Sequence, residues 1–259
     1  MSKQPFRFVF LIGASGSGTT LLTRLIGAQK GCVALGGNHI SIARKEKSAY
    51  SIARKFKKAN DRLWDRHATS EDSEAGGRKM LELIEQLLAV DNYKETSHIL
   101  FKRSAPFHRG DRYRPDLSEI FRLFEDVRLI FIHRDPRASA ASSHRRRFAK
   151  NLRANAVITE EQLTYLSAQL ATLDPTQYMG FPYEDFCREP VLWMRRIATY
   201  CGLPEDLLEQ AVRAEKIDTT RNEAWKNRLD ENDRNFLETF FDERRIRQWP
   251  LLGQPHIPE

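Results

Sequence analysis

Phe8-Val-Phe-Leu-Ile-Gly-Ala-Ser-Gly-Ser-Gly-Thr-Thr-Leu-Leu-Thr-Arg-Leu-Ile26 reads as a strand, a glycine loop and a helix in one short run. Phe8 to Ile12 is uninterrupted apolar sequence, the pattern of a strand buried on both faces. Gly13, Gly16 and Gly18 then allow backbone angles that a side chain forbids, so successive N–H groups can converge on one oxyanion. From Thr19 onward, Leu21, Leu22, Leu25 and Ile26 fall at helical spacing. A helix N-terminus facing a glycine nest is a phosphate site on physical grounds.

The spacing Gly13-x4-Gly18 is that of the nucleoside triphosphate loop, but Thr19-Thr20 stand where that loop carries Lys-[Ser/Thr]. The lysine that would reach the β- and γ-phosphates is absent. That argues against ATP or GTP hydrolysis and leaves phosphate binding standing.

Beyond the loop, Gly31 to His39 reads as a turn that places Asn38 and His39 before a new helix. Residues 40 to about 68 are basic and helical in pattern, Thr69 to Gly77 polar and loop-like, and Arg78 to Val90 a packed helix. His98 to Arg103 and Val127 to His133 read as the second and third strands, and Tyr178 to Tyr183 as a fourth. Leu117 to Phe124, a helix opened by Pro136 and continuing from Ala138 to Lys150, Glu160 to Leu173, and Val191 to Cys201 read as helices. Gly202-Leu-Pro204 stops the last of these. The final third is helical and charged, anchored by Trp225, Phe236, Phe240, Phe241 and Trp249. Strands alternating with helices imply an α/β fold, a three-layer P-loop-like arrangement with a parallel sheet and helices on both faces. No repeat or long linker interrupts residues 1–259, so one domain is expected, with a helical insertion at about 40–92.

The chain has 259 residues, 41% of them hydrophobic and 30% charged, as a globular protein requires. No apolar run approaches the roughly 20 residues of a membrane span, and the N-terminus enters the first strand almost at once, which points to the cytoplasm. Cys32, Cys187 and Cys201 match no zinc or redox spacing and suit buried thiols in a reducing compartment. The net charge of +7 suits an anionic ligand. It would suit nucleic acid too, but no aromatic-basic RNA signature or helix-turn-helix pattern accompanies it.

A second phosphate-binding stretch follows the third strand: Phe131-Ile-His-Arg-Asp-Pro-Arg-Ala-Ser-Ala-Ala-Ser-Ser143. Arg134 at the strand's C-terminal end offers a fork of donors to a phosphate, and Ser142, two turns into the helix, adds a hydroxyl, with Ser143 as its alternative. Ligands of parallel sheets bind at that edge. An ion pair between Arg134 and Asp135 that pins the strand end is the other reading.

These two stretches resemble the sulfotransferases that use 3′-phosphoadenosine 5′-phosphosulfate (PAPS). Gly-x-x-x-Ser-Gly-Thr-Thr-x-Leu, here Gly13 to Leu22, resembles their 5′-phosphosulfate loop. An Arg at a strand end with a Ser eight residues on, here Arg134 and Ser142, is similar to their 3′-phosphate motif. Phe181-Pro-Tyr-Glu-Asp-Phe-Cys-Arg-Glu-Pro190 and Ile197 to Pro204 resemble two further segments, in order, over about 200 residues. The resemblance is to a bacterial-type member of that family, similar to the carbohydrate and tyrosylprotein sulfotransferases.

The resemblance implies PAPS as donor and adenosine 3′,5′-bisphosphate as product, with no metal required. It implies that Ser15, Gly16, Ser17, Gly18, Thr19 and Thr20 cradle the 5′-phosphosulfate, that Arg134 and Ser142 hold the 3′-phosphate, and that Tyr183 lies near the adenine. The chain departs from the family at Gly16, where a Lys or Arg is usual. Lys102, at the end of the second strand, is the first candidate for the missing cation, and Arg24 the second. The Glu that serves as base in the tyrosylprotein branch is also missing from Gly36-Gly-Asn-His39, where His39 is the nearest proton acceptor. His98, Glu95 and His108 are alternatives, and His133 reads as a core histidine. Arg145-Arg-Arg147 reads as a solvated helix face, or as help for the nucleotide or an acidic acceptor. The implied acceptor is a hydroxyl, less readily an amine, on a small molecule or saccharide. A P-loop kinase of a small substrate and a non-catalytic nucleotide-binding relative are the rival readings.

Overall fold

A computed structural model describes residues 6–35, 40–42, 44–63, 69–104, 117–252 and 254–258, without the side chains of 61, 62, 103 and 104. In chain order the elements are β1 (Arg7–Gly13), α1 (Thr19–Gly27), β2 (Cys32–Ala34), α2 (Lys47–Leu63), α3 (Ser70–Leu88), β3 (His98–Ser104), α4 (Leu117–Leu123), β4 (Val127–His133) and α5 (Pro136–Arg145). Then come α6 (Leu152–Leu170), β5 (Tyr178–Pro182), α7 (Tyr183–Arg188), α8 (Pro190–Cys201), α9 (Leu208–Ala214), a 3-10 turn Thr219–Asn222, α10 (Ala224–Arg228), α11 (Glu231–Phe240) and α12 (Glu243–Ile246).

The strands form one parallel sheet in the order β2-β3-β1-β4-β5. Side chains alternate across a strand, so one apolar run feeds two cores. Phe8, Phe10 and Ile12 point into a layer with Phe56 of α2, Leu83 and Ile84 of α3, Ile120 of α4 and Leu166 of α6. Phe10 stacks on Phe101 of β3 there, with ring centroids 4.6 Å apart. Val9 and Leu11 point the other way, against Leu22 and Leu25 of α1 and Trp193 and Ile197 of α8. The sheet is thus covered on both faces, as expected. A third cluster joins Ala14 after β1, Ala138 and Ala140 of α5, and Leu163 of α6 to Trp225, Leu237, Phe241 and Trp249. The C-terminal helices are thereby packed onto the segments that follow β1 and β4.

The last residues close one border of the sheet. The Gly180 N–H donates to the His256 carbonyl at 2.8 Å, and the His256 N–H donates back to Gly180 at 2.7 Å. The His256 ring stacks on Tyr178 with centroids 4.3 Å apart.

Five expectations need correction. The basic run read as helical from residue 40 enters a helix only at Lys47, the start of α2. Cys32–Ala34, read as part of a turn, is a short edge strand paired with β3. Thr69 to Gly77 is no loop: Thr69 caps α3, its hydroxyl accepting from the Asp72 N–H while the Asp72 carboxylate accepts from the Thr69 N–H. Gly76 and Gly77 lie inside that helix, where a Cβ at Gly77 would stand 3.1 Å from the Leu123 side chain and one at Gly76 would meet Leu63 at ordinary contact distance. Helix α5 ends at Arg145 rather than Lys150, since Arg147 takes a left-handed φ of 57° and the Phe148 N–H returns to the Ser143 carbonyl. Helix α6 starts earlier than Glu160, at Leu152, because Asn151 caps it by accepting from the Ala154 N–H.

Candidate active site

β1 is the middle strand, so the loop after it opens between the C-terminal ends of β3 and β4. The loop is pressed from two sides. A Cβ at Gly16 would stand 2.6 Å from the Ser139 carbonyl oxygen of α5, and one at Gly18 would stand 2.3 Å from the Tyr183 ring. Both glycines are also left-handed, with φ of 89° and 102°. Gly18 is the N-cap of α1 and brings no side chain to it. The N–H groups of Thr19 and Thr20 have no acceptor within the helix by its geometry, so α1 presents an uncapped, positive N-terminus. A cavity of about 880 Å³ lies over it. Nine Lys and Arg side chains line that cavity against four carboxylates, among the described residues.

Lys102 enters from β3, where it pairs in register with Leu11 of β1. Its side chain is buried, and its Nζ donates to the Thr20 hydroxyl at 2.7 Å. Burial, and then the nearby Arg146 and Arg24, bring its pKa down to about 8. Arg24 lines the same cavity but is committed elsewhere, in a two-pronged ion pair with Glu215 at 2.7 and 2.6 Å.

Arg134 reaches the cavity from the end of β4 and is nearly buried. Its guanidinium donates to the Gly16 carbonyl at 3.2 Å and the Arg221 carbonyl at 2.6 Å, and lies over the Tyr183 ring at 4.7 Å. The expected ion pair with Asp135 is not made: Asp135 accepts from Arg137 instead, while the carboxylate beside Arg134 is that of Glu184, 4.0 Å from Nε. The two serines of α5 separate. Ser142 faces the cavity, whereas Ser143 is buried and its hydroxyl donates to the Ser15 carbonyl at 3.1 Å.

Six of the loop and strand-end residues singled out from the sequence, Gly16, Gly18, Thr19, Thr20, Lys102 and Arg134, line one cavity, together with Ser15, Ser142 and Tyr183. Ser17 does not: its side chain is fully buried beneath the loop and its N–H donates to the Ala14 carbonyl at 3.1 Å. The Ser15 N–H is taken by the Gln162 side chain at 2.9 Å. His39 and His108 lie outside the described residues. Glu95 and His98 stand before and at the start of β3, at the sheet edge opposite the cavity, and the His98 ring is occupied by Ser97 and the Cys201 carbonyl. That removes them as bases for chemistry at the loop. His133 is a core histidine, buried against Phe131, with its pKa pushed down to about 4 by burial.

The cavity also holds residues that the sequence reading left aside or undivided. His144 and Arg146 come from the end of α5, Lys57 from α2, and Arg221 and Trp225 from the C-terminal segment. Lys57 carried a signal, as part of the basic run in α2. Arg221 carried none and Trp225 only that of a core anchor, because long-range packing alone brings them to the loop.

A parallel sheet whose middle strand feeds a glycine loop, with a cation-lined cavity at the strand C-termini, defines an α/β protein of P-loop-like fold. The chain belongs to the sulfotransferase family, whose model matches residues 8–207. Among solved structures, its fold is similar to the sulfotransferase domain of the Synechococcus PCC 7002 olefin synthase, at 17% identity over 92% of this chain and 95% of that one, with a TM-score of 0.51. The sulfotransferase domain from the curacin biosynthetic pathway matches at 13% identity over 92% and 98%, with a TM-score of 0.55. A sulfotransferase from Alicyclobacillus acidocaldarius matches at 14% identity over 96% of each chain, with a TM-score of 0.55. No curated protein sequence matches the chain.

Proposed function

We propose that the protein is a PAPS-dependent sulfotransferase acting on a hydroxyl, less readily an amine, of a small-molecule or saccharide acceptor. The observation that carries this reading is the Lys102 ammonium seated on Thr20 at the uncapped N-terminus of α1. That is where charge develops as a sulfuryl group leaves a 5′-phosphate. The acceptor oxygen forms a bond to sulfur as the bond from sulfur to the phosphate oxygen breaks, and the electron pair stays on the phosphate. Loop N–H groups and Lys102 stabilise that oxygen, and a base takes the acceptor's proton. His39 is proposed as that base. Arg134 and Ser142 take the 3′-phosphate, and Tyr183 packs between loop and nucleotide. Residues 1–259 act as one unit, with residues 40–92 on the acceptor side. The three buried, free cysteines accord with a cytoplasmic protein.

Thermal unfolding with adenosine 3′,5′-bisphosphate, against ATP and ADP at equal concentration, tests the reading. At one hundred times its Kd, a ligand of the folded state adds about 2.7 kcal/mol, or roughly 5–10 °C for a chain of this size. The bisphosphate is expected to give that shift and Arg134→Ala to lose it. A shift with ATP alone would overturn the donor assignment in favour of a kinase.

A further inference from the structure

Helix α5 carries more of the cavity wall than its serine. It packs on the loop at Gly16, whose φ and close approach to the Ser139 carbonyl leave no room for a side chain. The loop therefore brings no cation of its own at that point. One turn past Ser142, at the residue that caps the end of α5, stands Arg146. It lines the cavity, and its guanidinium has neither a hydrogen bond nor an ion pair among the described residues. Its neighbours are cationic: partial burial and then Arg145, Arg134 and Arg221 lower its pKa, and Arg146 in turn lowers that of Lys102. The backbone explains how it gets there. The Arg146 N–H closes the helix on the Ser142 and Ser143 carbonyls, and left-handed Arg147 then turns the chain away, so that Arg147 does not line the cavity.

Arg146, Arg134 and Arg221 stand among the nine cations of one cavity, and none of its carboxylates is bonded to Arg146, an arrangement that favours a multiply charged anion. We propose that Arg146 is a donor-binding residue that grips the 3′-phosphate of the nucleotide together with Ser142, from the α5 side and opposite Arg134. This rests on reading the cavity as a PAPS site. The proposal divides the run Arg145-Arg-Arg147 by role: Arg146 binds, and Arg147 sits outside.

Calorimetric titration of the full chain with adenosine 3′,5′-bisphosphate and with adenosine 5′-phosphate separates the possibilities. Arg146→Ala is expected to weaken the bisphosphate by roughly 10- to 100-fold, the loss of a charge-assisted bond, and to leave adenosine 5′-phosphate within about twofold. Arg147→Ala removes the same charge from outside the cavity and is expected to change neither. The free Arg146→Ala protein is expected to melt no lower than the wild type, since a charge among like charges has been removed. Wild-type affinity for the bisphosphate in Arg146→Ala would overturn the proposal, as would an equal loss for both nucleotides or a lowered melting temperature. A wild-type protein that does not prefer the bisphosphate over adenosine 5′-phosphate would overturn the donor reading itself, and the proposal with it.

Discussion

Lys102→Met is expected to lower turnover by about 100- to 1,000-fold, the usual loss when one preorganised donor to a developing charge is removed. Methionine keeps the apolar length of the stem, so the pocket beside Thr20 stays filled. The pH dependence should change as well. With its pKa at about 8, Lys102 is charged below that pH and neutral above it. A reaction that needs the cation should therefore lose kcat/KM as pH rises through about 8, since kcat/KM reports the free enzyme. Lys102→Met should lack this decline, and Lys102→Arg, which does not titrate there, should recover part of the rate without it. For stability the sign is reversed from that of a paired lysine. The folded pKa lies below the ordinary 10.5, so folding disfavours the charged form. That penalty is fully present below about pH 8 and fades as pH rises towards 10.5. Lys102→Met should thus unfold no lower than the wild type at pH 7. A rate within a few fold of wild type would sink the assigned role, and a large fall in melting temperature would recast Lys102 as structural.

Gly13→Ala should be the most damaging small change to the fold. Here space, rather than backbone angle, is the obstacle. A Cβ would lie 2.3 Å from the Ile132 carbonyl oxygen and 2.5 Å from the Ser17 hydroxyl. The first neighbour is main chain of β4 and cannot swing aside. Relieving the overlap means parting β1 from β4 just where the loop begins, at a cost of about 3 kcal/mol by analogy with overpacked cores. For a chain this long that is roughly 6–12 °C in Tm. Scanning calorimetry gives the value directly, and a change under 2 °C would show that the loop adjusts freely.

The sheet was largely legible because its strands are buried on both faces. The apolar runs at Phe8, His98, Val127 and Tyr178 all became strands. Cys32–Ala34 escaped because three residues between glycine-rich turns carry too little pattern. The polar start of α3 was mistaken for a loop because Gly76 and Gly77 look like breakers. Gly77 instead packs closely on Leu123, a residue about 46 positions further along the chain. At the cavity, local motifs announced the loop, Arg134 and Ser142, since each follows directly from a strand. Lys102 was legible as a strand-end cation. The end of α5 was not, because an arginine rather than a glycine takes the left-handed position. The clasp of Arg24 on Glu215 and of Arg134 on the Arg221 carbonyl joins residues about 190 and 90 positions apart, and short-range pattern does not report such pairings.

The bridge between Gly180 and His256 bears on how copies of this chain meet each other. An open strand border is a template on which a second chain can pair. Beside β5 that template is occupied by the protein's own late residues, and at the far border β2 offers a length of only three residues. Pairing of a second chain along β5 at Gly180 would have to displace His256, whereas pairing at β2 has only three residues to build on.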